Sequence, residues 1–262
     1  MILVTGATGT IGASVVSGLI DGGMEFRATT RRDALLGSEQ FLVRMDLADR
    51  DSVVAALAGV DVVFLNSSQH PEMAAHQAGL IDAAAGTGVR HIVKVSAGSA
   101  ATGPDKASWV GRAHAAIEAR LHASGLGWTV LRPNYFMQNL LGLAPAISGG
   151  TLPMALDDHR LALVDARDIA AAATAVLRDP LPHHARAYEM TGPESLTPPT
   201  SRMACRPVWD GGSPTSGSPS RNCAPARHVR EHPSGSGSTW WSSWSSMLVM
   251  SPSAPCRRTW NG

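Results

Sequence analysis

The sequence predicts an α/β fold built on a doubly wound parallel sheet with helices on both faces. Three observations lead there. Short apolar runs alternate with longer Ala-rich stretches from residue 2 to residue 191. These apolar runs are continuous rather than alternating, as strands covered on both faces are. The stretches between them are long enough for helical crossovers, whose right-handedness winds such a sheet outward in both directions.

Taken in order, residues 2–5 make the first strand and residues 12–21 the first helix, stopped by Gly22 and Gly23. Residues 25–30 and 41–45 are the second and third strands. A short helix over 51–58 ends at Gly59, and 61–65 is the fourth strand. Residues 72–87 are helical, 91–95 form the fifth strand, and a long helix over 106–124 stops at Gly125. The sixth strand covers 128–131, a helix over 166–177 halts at Asp179-Pro180, and 188–191 can add an edge strand.

Near residue 198 the character changes. From 201 to 262 there is no Ile, Phe, Tyr or Lys and a single Leu, yet five of the seven tryptophans fall there. A linker is poor in Trp, and a folded domain needs aliphatic residues for its core. The expected organisation is therefore a dinucleotide-binding domain over 1–197, including a small C-terminal substrate-side region, and a low-complexity, poorly ordered tail over 198–262. A reading-frame shift in a GC-rich gene is one origin for such a tail: a shifted coding of TWWSSWSS (239–246) yields the helix-like VVVELVE. A natural low-complexity tail is the other.

A net charge of +1 argues against a nucleic-acid or membrane-surface protein. Residues 1–200 hold 15 of the 22 Lys and Arg and 19 of the 21 acids, a net of −4, so the basic excess sits in the tail. The three cysteines, Cys205, Cys223 and Cys256, match neither a zinc pattern nor a disulfide framework. No metal site is expected. No basic stretch precedes the apolar start and no run approaches a membrane span, so a cytoplasmic protein is expected.

Gly6, Gly9 and Gly12 stand at the three-residue spacing of a phosphate-binding turn, between the first strand and the first helix. The first glycine permits the tight turn, the second lets backbone N–H groups approach a pyrophosphate, and the third allows close helix packing. Thr8, Thr10 and Ile11 lie between and beside them and count with them as cofactor-binding residues. This strand–loop–helix context predicts a Rossmann-type dinucleotide site. At the end of the second strand, where NAD enzymes commonly place an acid, stand Arg31 and Arg32. Two guanidiniums suit a 2′-phosphate, so the expected cofactor is NADP(H). The same pair would also suit a solvated loop, with Asp33 in the acidic role and NAD(H) bound instead. Asp46 follows the third strand, as an adenine contact or as a cap for the next helix. Asn66 and Ser67 end the fourth strand beside the cofactor, and Ser96 ends the fifth on the nicotinamide side.

The Tyr and Lys four residues apart that short-chain dehydrogenases use for proton transfer are absent, because neither Lys94 nor Lys106 has a tyrosine four positions earlier. The corresponding helix carries His114 and Glu118, an i,i+4 pair sharing one face. His114 is a candidate proton donor or substrate contact held by Glu118. An exposed surface pair is the competing reading.

GATGTIG (6–12), HIVKVSA (91–97), His114 with Glu118, WTVLRPNYFMQNLL (128–141) and VDARDIAAAA (164–173) together resemble the NmrA-like family of atypical short-chain dehydrogenase relatives, over roughly residues 1–197. The resemblance implies an NAD(P)H-dependent reductase of quinone or azo acceptors, or a non-catalytic NADP(H)-sensing regulator. It implies a planar small-molecule substrate, with a homodimer or a regulatory protein as further partners. It also implies that Arg132, Pro133, Asn134, Phe136 and Asn139 line the cleft, Asn134 being counted as catalytic with His114 and Glu118. Trp109, Tyr135 and Phe136 are the candidate substrate contacts.

Overall fold

Ile2–Val4 (β1) is apolar throughout and wholly buried, so its backbone must find partners on both sides. It pairs in parallel with Phe26–Thr30 (β2) and with Val62–Leu65 (β4), Val4 lying beside Ala28 and Phe64. Outward on one side comes Leu42–Arg44 (β3). On the other come His91–Val95 (β5), Gly127–Pro133 (β6) and Arg186–Thr191 (β7), all parallel. His228–Glu231 (β8) closes this edge antiparallel to β7. The order β3-β2-β1-β4-β5-β6-β7-β8 reverses direction between β1 and β4, the point where doubly wound sheets open a crevice at their carboxyl edge. This computed structural model describes residues 1–36, 39–148, 160–196 and 228–231.

The helices are Thr10–Asp21 (α1), Arg50–Leu57 (α2), Met73–Ala85 (α3), Trp109–His122 (α4), Ala144–Ser148 (α5) and Ala166–Arg178 (α6). Helices α1 and α6 pack together on one face of the sheet, while α2, α3 and α4 follow one another across the other. Strand alternation divides the apolar residues between the two faces. Leu3, Val63, Leu65, Ile92 and Val130 meet Leu80 and Ile81 of α3 and Ile117 and Leu121 of α4. Each fully buried aliphatic side chain stabilises by about 1.5–3 kcal/mol. By the same alternation Lys94 and Arg132 share the parity of Ile92 and Val130 and point toward α4.

The expected doubly wound architecture is present, with helix and strand limits within a few residues of the sequence reading. Two segments were not expected. A 3₁₀ stretch over Met137–Leu143 leads into α5, and β8 arises within the span read as a poorly ordered tail. Apart from β8 that tail, with its cysteines and tryptophans and the frame-shift question, lies outside the described residues. No helix among the described residues is long and apolar enough to cross a membrane.

Candidate functional site

A cleft of about 710 Å³ opens at the β1/β4 switch point, between the carboxyl ends of the strands. Its floor is the glycine loop. Gly6 adopts a positive φ of +64°, and a Cβ there would lie 2.8 Å from the Asn66 carbonyl oxygen. At Gly12 a Cβ would lie 2.1 Å from the Gly6 carbonyl oxygen, which explains why the helix can begin directly against the loop. Thr5 ties the loop to β4: its hydroxyl donates to the Asn66 carbonyl at 2.7 Å and accepts from the Asn66 N–H at 2.9 Å. Gly9 is the N-cap of α1 and brings no capping side chain, so the first-turn N–H groups at Thr10 and Ile11 face the cleft without an intrahelical acceptor. This backbone cradle suits a pyrophosphate, and the positive end of the helix dipole adds to the attraction.

At the β2 end, Arg31 lines the cleft. Asp33, the acid that would favour an unphosphorylated ribose, is instead paired with Arg44 at 2.5 Å. Arg32 does not line the cleft: it caps the 3₁₀ turn over Asp33–Leu35 and its backbone N–H donates to Thr30 Oγ1. Asp46 lines the cleft with its Oδ1 accepting from the Ala48 N–H, and the cap of α2 falls to Asp49. Ser67 also lines the cleft, holding Gln77 of α3 through a 2.8 Å hydrogen bond to its hydroxyl.

The opposite wall corrects the sequence reading. His114 and Glu118 are both buried, but Glu118 does not hold His114. Two strands that pass beneath α4 supply competing partners. Glu118 accepts from Ser96 Oγ at 2.5 Å and from Arg132 at 2.5 and 3.3 Å. Arg132 continues to Glu189 of β7, 3.7 Å away, whose carboxylate also accepts the Ser99 N–H. His114 turns instead to Lys94, with Nδ1 3.2 Å from Nζ. Lys94 is wholly buried in β5, its other hydrogen bond going to the Val95 carbonyl. Burial pulls the Lys94 ammonium down to about 7, against the opposing influence of Glu118. Burial and then the Lys94 charge pull His114 down to about 3, so its imidazole is neutral across the working range. Below about pH 7, where Lys94 is an ammonium and offers only donors, Nδ1 must accept and Nε2 carries the ring proton. Nε2 takes no partner from the described residues, and His114 lines the cleft.

The structure thus brings Gly6, Thr8, Gly9, Thr10, Ile11, Arg31, Asp46, Asn66, Ser67, Ser96, His114 and Phe136 to one cleft. Gly12 lies beneath the loop, and Glu118 lies behind His114 and Ser96. Asn134 is not on the lining: its Oδ1 accepts the Tyr135 N–H and its own N–H donates to the Met190 carbonyl, which shapes the chain after β6. Tyr135 joins that turn, accepting the Val164 N–H on its carbonyl. Trp109 begins α4, 42% exposed, and is not among the residues that line this cleft. Arg132 and Pro133 stay behind the wall, whereas Asn139 reaches it. Lys94 was given no role in the sequence reading, although a lysine inside the buried, mostly apolar strand HIVKV is itself a sign of a buried charge with a special partner.

Fold and cleft together define the class: a dinucleotide-binding α/β protein with its site at the switch point of the sheet. The chain belongs to the NmrA-like family, whose model matches residues 1–200. It is 39% identical over 203 residues to an NAD(P)H azoreductase of Xenophilus azovorans, covering 75% of this chain and 70% of that one. It is 31% identical over 207 residues to quinone oxidoreductase 2 of Escherichia coli K12, with 75% and 70% covered. A solved structure of the NADPH-dependent quinone oxidoreductase of Escherichia coli complexed with NADPH superposes with a TM-score of 0.67 at 30% identity, covering 75% of this chain and 71% of that one.

Proposed function

We propose that this protein is an NADPH-dependent reductase of flat, electron-poor acceptors of the quinone or azo type. The observation that carries the reading is the joining, in one cleft, of a backbone phosphate cradle at one end and a neutral, buried imidazole at the other. The glycine loop would hold the pyrophosphate, and Arg31 the 2′-phosphate. Bound NADPH supplies a hydride, which leaves the protein to orient the acceptor, exclude water and provide a proton. Met73, Val95 and Phe136 give the lining its apolar character, while Ser96 and His114 add the polar groups. A quinone that has taken a hydride needs one proton, which a cleft-lining imidazole can give without the Tyr/Lys pair of short-chain dehydrogenases.

The test is steady-state oxidation of NADPH and of NADH against a panel of quinones and azo dyes. Turnover with at least one class, and a higher kcat/KM for NADPH than for NADH, are the expected results. Tight NADPH binding with no turnover of any acceptor would refute the reductase reading and mark the chain as a binding protein.

A further inference from the structure

We propose that Lys94 and His114 form a proton relay, in which Lys94 holds His114 with Nε2–H toward the cleft and replaces the proton that His114 gives up. The inference rests on the reductase reading and extends it to a residue to which the sequence reading gave no role. Three features of the geometry carry it. Lys94 is fully buried, and its Nζ reaches His114 Nδ1 at 3.2 Å. His114 lines the cleft, with Nε2 taking no partner from the described residues. The carboxylate that acts on Lys94, Glu118, hydrogen-bonds to Ser96 and Arg132 rather than to the imidazole.

A neutral quinone that accepts a hydride becomes an anion and needs one proton. As His114 Nε2–H breaks and its proton moves to the acceptor oxygen, a Lys94 Nζ–H breaks and that proton bonds to Nδ1. Lys94 ends as a neutral amine, and His114 ends neutral in the other tautomer. Solvent then returns one proton and the pair resets. The charged and titratable groups facing the pair are Glu118 on α4 and, through it, Arg132 on β6 and Glu189 on β7. With burial bringing Lys94 to about 7, the ammonium is acidic enough to give up its proton near neutrality.

Two measurements test the relay. The first is ring-nitrogen NMR of the protein without cofactor. Between about pH 6 and pH 4, where Lys94 is an ammonium, wild-type His114 should be neutral with its proton on Nε2, and Lys94→Met should release the tautomer to a mixture. A wild-type proton on Nδ1 overturns the relay. The second compares a quinone with a cationic triphenylmethane dye, which takes a hydride at its central carbon and needs no proton. Wild-type kcat for the quinone should fall as pH rises through about 7 while that for the dye does not. In Lys94→Met the quinone-to-dye rate ratio should drop by about tenfold or more. Equal losses on both acceptors, or parallel pH profiles in the wild type, refute the relay and leave the reductase reading standing. A wild type that reduces neither acceptor refutes both.

Discussion

Removing Glu118 probes the charge cluster at its centre. In Glu118→Ala the partly buried Arg132 loses its close carboxylate, and Ser96 loses its acceptor. Breaking a buried ion pair from one side costs about 3–5 kcal/mol. Arg132 remains 20% exposed and keeps Glu189 at 3.7 Å, so the lower end applies, about 3 kcal/mol. The orphaned serine hydroxyl adds about 1 kcal/mol. Equilibrium unfolding in urea should therefore show a loss of about 3–4 kcal/mol at constant m-value. Glu118→Gln, which keeps an acceptor for Ser96, should lose less. A double-mutant cycle with Arg132→Ala should return a coupling energy of at least about 1.5 kcal/mol. Because Glu118 supports the Lys94 charge, its removal should also move the high-pH limb of quinone reduction to lower pH. A loss below about 1 kcal/mol, or additivity in the cycle, would show that the cluster is not a coupled unit.

Gly12→Ala forces a methyl group to within 2.1 Å of the Gly6 carbonyl, so the loop must shift by about 1 Å and the pyrophosphate loses one or two aligned N–H groups. NADPH affinity, followed by fluorescence titration, should fall about tenfold to a hundredfold, and an unchanged Kd would contradict the cradle. For the exposed Arg31, Arg31→Ala should weaken NADPH by about fivefold and NADH much less, as read by isothermal titration; equal losses would remove the 2′-phosphate assignment. His91 is held neutral, its pKa drawn down to about 4 by burial and then by His184 and His183. The unfolded chain takes up that proton as pH falls through about 6.5, and the folded chain does so only near 4, so stability is full above 6.5 and is lost between the two. From pH 7.5 to pH 5 this site should contribute a loss of about 2 kcal/mol in urea unfolding. His91→Gln should flatten the slope, and an unflattened slope would assign it to other groups.

The parts of this protein that were legible in its sequence are those where the backbone itself constrains residue type. Gly6 and Gly12 stand where a positive φ and a close approach to a carbonyl exclude other residues, so their spacing announces the loop. The strands were legible because burial on both faces demands unbroken apolar runs. What failed was the choice of partners. Helical spacing places His114 and Glu118 on one face of α4, but it is silent on what lies across from that face. Lys94 and Arg132 arrive there from β5 and β6, and they take the hydrogen bonds of His114 and Glu118 in place of the intrahelical pair. Trp109 and Asn134 were chosen for chemistry that could serve a substrate; Trp109 stands exposed at the start of α4, and Asn134 is engaged in the turn after β6. β8 was illegible for another reason: an edge strand pairs through its backbone and needs no apolar pattern.

That edge strand has a mechanical consequence. In the register of the sheet Glu189 sits beside Arg132 on one side and Arg230 on the other. The strand that carries Glu189, and with it the outer anchor of Arg132 and of the Ser99 backbone, is stiffened from outside by residues 228–231. Were those four residues pulled away, β7 would become the free rim of the sheet, and slack there would travel inward through Glu189, Arg132 and Glu118 to the wall of the cleft. A segment whose composition looks foreign to the fold is thereby tethered to the place where chemistry is proposed to occur, as a brace rather than as a participant.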